Sequence, residues 1–389
     1  MMDYLSFQNW TFPVPIRYGP GRIKELSEIC QTKGIKKPLV VTDNGSKNLK
    51  FIENIFNDLE SHQLKPGLFS NISPNPRDTE ILEGKNNFNN GNYDGIIAIG
   101  GGSGMDGGKA ISLVANNDYD IWDFEWEKQP AQINQHNQFP PLICIPTTAG
   151  TGAETESSAM VTDTKLLVKW CIAHPQQKPI EVILDPELTL DLPKNLTAWT
   201  GIDALVHAIE AYVINDFHPL CDATAIEGLR LIYPNLPIVY NEPNSLIARG
   251  KMLVGSCLAG ISFLKGLGFV HAISHMVGAE FDTQHGLTNS IVLPAVLRFN
   301  KEVINEKVPI ICQSMGLKEN SFNYLYQSIC DLLDQLDIPK NLKDIGVDET
   351  HIDRLAEKAM GDSAFATNPR NASFDEMKKI ITDSVLEGR

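Results

Sequence analysis

The sequence predicts a two-part chain, an α/β Rossmann-like nucleotide-binding half over residues 1–186 and an all-helical half over residues 187–389. Three observations carry this. Up to about residue 185, short apolar runs alternate with helical stretches, the mark of a parallel sheet flanked by helices. Two of these runs open into loops of small residues, Gly100 to Ala110 and Pro146 to Glu154. Beyond Pro186 and Pro193 the strand signals fade, and long amphipathic or buried helices take over.

In the first half, strands are expected at Pro38 to Thr42, Gly95 to Ile99, Leu142 to Ile145 and Glu181 to Leu184. Helices are expected near Ser46 to Leu64 and Asp78 to Asn89, with the turn SPNPR before the second. The run Gly95 to Ile99 leads straight into GGGSGMDGGKA and then a helix. Such a turn brings backbone N–H groups to the positive end of a helix dipole, where a pyrophosphate fits without a clashing Cβ. Gly102, Gly104 and Gly107 also spell GxGxxG, but the acid expected about 20 residues on has no strand to end. The stretch there, IWDFEWEK, reads as a surface loop, so the formal fingerprint is accidental while the phosphate-loop reading stands. Asp43, ending the first strong strand, is the better ribose contact and favours NAD over NADP; its bland alternative is a turn or cap residue.

In the second half, Thr197 or Thr200 is expected to cap the helix that carries Asp203. Positions 203, 207, 210 and 214 share one face of it, with apolar residues on the others. Later helices are expected in NSFNYLYQSICDLLDQLDI and THIDRLAEKAM, and Ser373 with Glu376 has the spacing of a capping box.

Composition bounds the rest. A chain of 389 residues with 42% hydrophobic and 21% charged residues is an ordinary globular protein, long enough for two cores. Its net charge of −15 argues against a nucleic-acid partner. The opening MMDYLSFQNWTF lacks the basic and apolar regions of a signal peptide, and the longest charge-rich-free apolar stretch, Met252 to Leu264, is too short to span a bilayer. The expectation is therefore a cytoplasmic protein without membrane partners. Seven scattered cysteines with no CxxC pair read as reduced, mostly buried thiols.

Asp203 and His207 are four apart, as are His271 and His275, and His285 follows ten residues later. On a helix such pairs lie on one face about 6 Å apart, so each can converge on one atom. Either pair alone reads as a helix-surface pair or as satisfied core histidines. Together, a carboxylate and several imidazoles with no nearby cysteine suit a borderline divalent ion such as Fe²⁺ or Zn²⁺. The spacing leaves open which histidine stays off the metal.

These residues sit in a longer pattern. YGPG at 18 to 21, VVTD at 40 to 43, PNP at 74 to 76, GGGS at 100 to 103, TTAGTGAE at 147 to 154, GIDALVHAIEAY at 201 to 212, the HAISH and QHG histidines and ATNPR at 366 to 370 occur in that order. In this arrangement the chain resembles the iron-containing (group III) alcohol dehydrogenases over nearly its whole length. The resemblance implies the dehydroquinate synthase-like fold, with a nucleotide-binding α/β domain, an all-helical domain and an active site in the cleft between them. It implies a metal held by Asp203, His207, His271 and His285, Fe²⁺ first and Zn²⁺ as the alternative, with His275 beside the nicotinamide as the catalytic residue. NAD contacts carry over to Asp43, Gly101, Gly102, Ser103, Asp106, Thr147, Thr148 and Lys169. The implied activity interconverts a small alcohol and its aldehyde or ketone by hydride transfer, in a homodimer or larger homo-oligomer. Tyr4 to Ile16 is a candidate for an exchanged strand in that assembly.

The chain also departs from the family pattern. GGGSG replaces the frequent GGGSP, so Gly104 is expected to loosen the turn; Trp199 and Met276 replace a small residue and Pro. The run AGISFLKGLGFVH is one residue short and carries Lys265 near the expected substrate pocket, where its ammonium would bind an anionic group if it is not solvent-facing. Two rival readings are a zinc-dependent polyol dehydrogenase of the glycerol type and a nucleotide-binding protein that has lost catalysis.

Overall fold

The chain alternates strand and helix from Ile16 to Leu184 because nearly continuous apolar tetrads and hexads are separated by polar, amphipathic segments. The computed structural model describes residues 14–126, 128 and 139–389. The reading of the first twelve residues, and most of the proposed exchanged strand, lie outside them. The described chain forms two compact units, Pro13–Thr148 with Ala153–Asp191, and Leu192–Arg389 with Ala149–Gly152.

The first unit holds strands β1 (Ile16–Tyr18), β2 (Pro38–Val41), β3 (Gly67–Phe69), β4 (Gly95–Gly100), β5 (Leu142–Pro146), β6 (Ser158–Asp163), β7 (Val168–Ala173) and β8 (Glu181–Leu184). Its helices are α1 (Leu26–Thr32), α2 (Lys50–Ser61), α3 (Asp78–Gly91) and α4 (Gly102–Val114). Six strands make one parallel sheet in the order β1-β8-β5-β4-β2-β3, while β6 and β7 form an antiparallel hairpin. The four strands expected from the sequence are the four inner ones, buried at every position. The three-residue edge strands β1 and β3 are too short and too exposed to give an apolar run of their own.

Chain order reverses between β2 and β4, which pair directly in register from Pro38 with Gly95 to Val41 with Ala98. The loops leaving these two strands therefore flank a topological switch point, where open α/β sheets take their ligands. Helix α2 begins at Lys50, four residues later than expected. The cause is Asp43, whose carboxylate accepts the amides of Gly45 and Ser46 and the Ser46 hydroxyl, forming a turn first. The segment read as a surface loop contains a short 3-10 turn, Ile121–Phe124, anchored by two buried residues.

The second unit contains α5 (Lys194–Val213), α6 (Pro219–Asn241), α7 (Leu246–Ser262), α8 (Phe269–Phe281), α9 (His285–Ile304), α10 (Val308–Ser314), α11 (Phe322–Gln335), α12 (Ile352–Met360) and α13 (Phe374–Thr382). Helix α5 is buried almost all round and packs against α6, α7 and α9. It starts after Pro193, so neither Thr197 nor Thr200 caps it. Both lie inside the helix, where Thr200 bonds back to the Leu196 carbonyl and Thr197 receives the Arg249 guanidinium. The capping box at Ser373 and Glu376 forms as expected. Helix α7 with the 3-10 turn Phe263–Lys265 is long and apolar enough to pass for a membrane span, but 67% of that window is buried inside the fold.

The segment Ala149–Gly152 is held by a backbone approach that admits no side chain. A Cβ on Gly260 of α7 would lie 2.6 Å from Gly152 Cα and 2.7 Å from its carbonyl oxygen, and Gly152 itself has φ of +65°. Gly260→Ala is therefore expected to cost about 1–3 kcal/mol by overpacking. A lowered thermal unfolding midpoint checks this, and an unchanged midpoint contradicts it.

Candidate metal centre and cofactor loops

Three helices bring the candidate ligands together. Asp203 and His207 lie one turn apart on α5, His271 is in the first turn of α8, and His285 opens α9. Their donor atoms all lie within 4.8 Å of one another. The carboxylate oxygen Oδ1 of Asp203 is 3.8 Å from Nε2 of His207, 3.8 Å from that of His271 and 3.6 Å from that of His285. A tetrahedral ion at about 2.1 Å from its ligands spaces them about 3.4 Å apart, so the set is close to closing around one ion.

Neighbouring groups fix two of the three imidazoles with Nε2 inward. His271 Nδ1 meets a Glu210 carboxylate oxygen at 2.6 Å, and His285 Nδ1 is 3.0 Å from the Ser274 hydroxyl. Burial, and then the imidazole of His207, hold the pKa of His271 well below the usual histidine value, in the neutral form that binds metal. Asn289, one turn into α9, donates to Asp203 Oδ1 at 2.7 Å and stands 3.2 Å from Nε2 of both His271 and His285. His207 Nδ1 and Asn289 Oδ1 are buried without a hydrogen-bond partner among the described residues. A buried carboxylate and three imidazole nitrogens whose lone pairs converge this closely are costly by themselves and are relieved by a cation, so the residues fit a divalent ion.

His275 stands apart from this set. Its Nδ1 is 2.8 Å from Asp362, and its ring stacks on His285 with 5.4 Å between centroids. Sequence reasoning missed Glu210, Asn289 and Asp362 as partners. Glu210 was visible as the third member of the 203, 207, 210 face, and Asn289 as a third i,i+4 pair with His285. Asp362 had no local signal. The ATNPR segment acts on α8: Asn368 Oδ1 accepts the Phe269 amide, its amide pairs reciprocally with Asn300, and Arg370 covers the Phe299 ring.

Lys265 does not offer a free charge. Its side chain is 1% exposed and its ammonium is bonded to the Asp222 carboxylate. The residue in that short segment that reaches the candidate ligands is Phe263, with its ring centroid 5.0 Å from that of His207.

Most of the candidate cofactor residues gather around the ends of β2, β4 and β5. The Thr147 amide donates to the Gly100 carbonyl, and a Cβ on Gly101 would touch the Thr148 methyl at 3.4 Å. The PNP turn is a hub: Pro74 accepts the Ser103 hydroxyl, Asn75 accepts the Lys169 ammonium and Pro76 accepts the Thr162 amide. Asp106 accepts the Met160 amide, tying α4 to the hairpin. Gly101 and Gly102 begin α4 with no side-chain cap, and Thr148 Oγ1 is buried without a partner among the described residues. Gly104 does not loosen the turn. A Cβ there would lie 3.0 Å from the Ile99 carbonyl oxygen and 3.3 Å from the Asp43 amide, so the residue lets the ends of β2 and β4 close together.

The division between ligands and His275 is open to measurement. His207→Ala is expected to retain almost no divalent metal after dialysis, and His275→Ala to retain its full complement, by elemental analysis. Equal loss from both variants would place His275 on the metal.

Comparison with known proteins agrees with this geometry. The family described as "Iron-containing alcohol dehydrogenase" matches residues 13–186, and "Fe-containing alcohol dehydrogenase family, C-terminal" matches residues 197–385. The chain is 35% identical to the 1,3-propanediol dehydrogenase of Citrobacter freundii, covering 98% of each chain. It is 34% identical to the NAD-dependent methanol dehydrogenase of Bacillus methanolicus, covering 97% of this chain and 100% of that one. A solved structure of a 1,3-propanediol oxidoreductase superposes with a TM-score of 0.90 at 34% identity, covering 99% and 100% of the two chains. The chain thus belongs to the iron-containing alcohol dehydrogenase family, metal-dependent and NAD-linked enzymes that interconvert alcohols with aldehydes or ketones.

Proposed function

We propose that Asp203, His207, His271 and His285 hold the divalent ion, Fe²⁺ or Zn²⁺, of an enzyme acting on small, uncharged alcohols and aldehydes. The observation that carries the ligand assignment is the convergence of one carboxylate and three inward Nε2 atoms, with orphaned polar atoms beside them. A bound ion supplies Lewis acidity at the substrate oxygen, and the nicotinamide supplies the hydride acceptor.

The chain's own residues do the remainder. The Asp362 carboxylate fixes the His275 ring, leaving Nε2 to position the nicotinamide or to carry a proton to or from the substrate oxygen. Asp43, at the switch point, accepts the ribose hydroxyls with lone pairs its own turn leaves free. Gly101, Gly102 and Ser103 present the first turn of α4 to the pyrophosphate, and Asp106, Thr147, Thr148 and Lys169 complete the cofactor contacts. Residues 1–186 are then the cofactor domain and 187–389 the metal domain. We place the enzyme in the cytoplasm, as a homodimer or higher homo-oligomer.

The neutral substrate follows from Lys265. With its ammonium buried against Asp222, the short segment before His271 presents Phe263 rather than a cation. Lys265→Met is expected to lower the unfolding midpoint, because it strands a carboxylate at the cost of about 3 kcal/mol. It should leave the ratio of kcat/KM for hydroxy acids and neutral alcohols unchanged; selective loss for acids would restore the anion-binding role.

The deciding assay follows NAD reduction over primary alcohols, diols and hydroxy acids, on protein reloaded separately with Fe²⁺ and Zn²⁺. Turnover of short neutral alcohols is expected, abolished by chelation and lowered at least about 100-fold by His271→Ala. Activity indifferent to chelation and to that substitution contradicts the proposal.

A further inference from the structure

We propose that Glu210 is a positioning residue of the metal centre, its carboxylate fixing the protonation and direction of the His271 imidazole. This rests on the assignment of His271 as a ligand. Glu210 lies on α5 one turn beyond His207, is 4% exposed, and points at the start of α8. Its two oxygens divide their work. Oε1 accepts the Val270 amide at 2.8 Å and caps α8, whose N-cap residue Gly268 has no side chain to do so. Oε2 faces His271 Nδ1 at 2.6 Å.

A cap needs only the first contact. The second places a carboxylate oxygen on the far nitrogen of an imidazole whose near nitrogen points at Asp203 Oδ1. A carboxylate oxygen that accepts from Nδ1–H leaves the Nε2 lone pair to face a cation and raises its basicity. His285 Nδ1 meets a hydroxyl, that of Ser274, and His207 Nδ1 has no hydrogen-bond partner among the described residues. Glu210 would thus supply the carboxylate of a carboxylate–imidazole–metal arrangement.

The test separates this role from simple capping. Co²⁺ is titrated into metal-free wild type, Glu210→Gln and Asn368→Ala, reading the d–d absorption bands and the Kd. Asn368→Ala removes the acceptor of the Phe269 amide and so loosens the same helix end without touching His271. Glu210→Gln is expected to weaken Co²⁺ binding about 10–100-fold and to shift the bands, while Asn368→Ala keeps both near wild type. Wild-type binding by Glu210→Gln, or equal weakening by Asn368→Ala, overturns the proposal. If Glu210→Gln does not fold, ¹⁵N-histidine spectra of metal-free wild type decide: His271 protonated on Nδ1 supports the role, and on Nε2 overturns it. Wild-type protein that binds no Co²⁺ would remove the ligand assignment itself, and shows before any variant is compared.

Discussion

Everything in the helical unit depends on burying one carboxylate, Asp203, against three imidazoles from three helices. A lone buried carboxylate is costly, and neutral imidazoles turned lone-pair inward add no proton to satisfy it. Asn289 donates to the same oxygen, and the set has the donors and spacing to surround a cation. That demand explains why α5 is buried almost all round rather than amphipathic. It must present Asp203, His207 and Glu210 on one face while α6, α7 and α9 cover the others.

The same economy governs the polar groups around the ligands. The His271, His275 and His285 rings are each tied at Nδ1, by Glu210, Asp362 and the Ser274 hydroxyl respectively. Carboxylates at two of these positions have different consequences. On His271, which faces the other candidate ligands, the carboxylate turns Nε2 toward them; on His275 it holds the ring at Nδ1. Burial holds the pKa of His271 well below the usual histidine value and pushes the Glu210 carboxyl up to about 7.

The sequence disclosed the parts that repeat a local rule. The four inner strands are continuous apolar runs, and the i,i+4 pairs sit on α5 and α8 where their spacing placed them. The capping box of α13 held because its two residues need only each other. What stayed hidden depends on a partner far along the chain. Strands β1 and β3 exist by pairing with β8 and β2, and three residues cannot signal that alone. Thr197 looked like a cap, but Pro193 had already begun the helix and Arg249 claimed the hydroxyl. Asp362 reaches His275 across 87 positions, and no spacing announces it.

Lys265 shows how a residue that breaks a pattern can be silent in function. Its position, six before His271, invited an electrostatic reading, since a cation beside a substrate pocket selects anions. A buried ammonium, however, needs a carboxylate more than a substrate does, and Asp222 from α6 supplies it permanently. With that charge cancelled inside the fold, the shortened segment is left to act through shape, by the ring of Phe263 against His207. Discrimination built on an aromatic wall sorts substrates by size, where a methylene counts for about 1–3 kcal/mol, and not by charge. Under the proposed function, the departures from the family pattern in this segment would bear on how large an alcohol fits rather than on its charge.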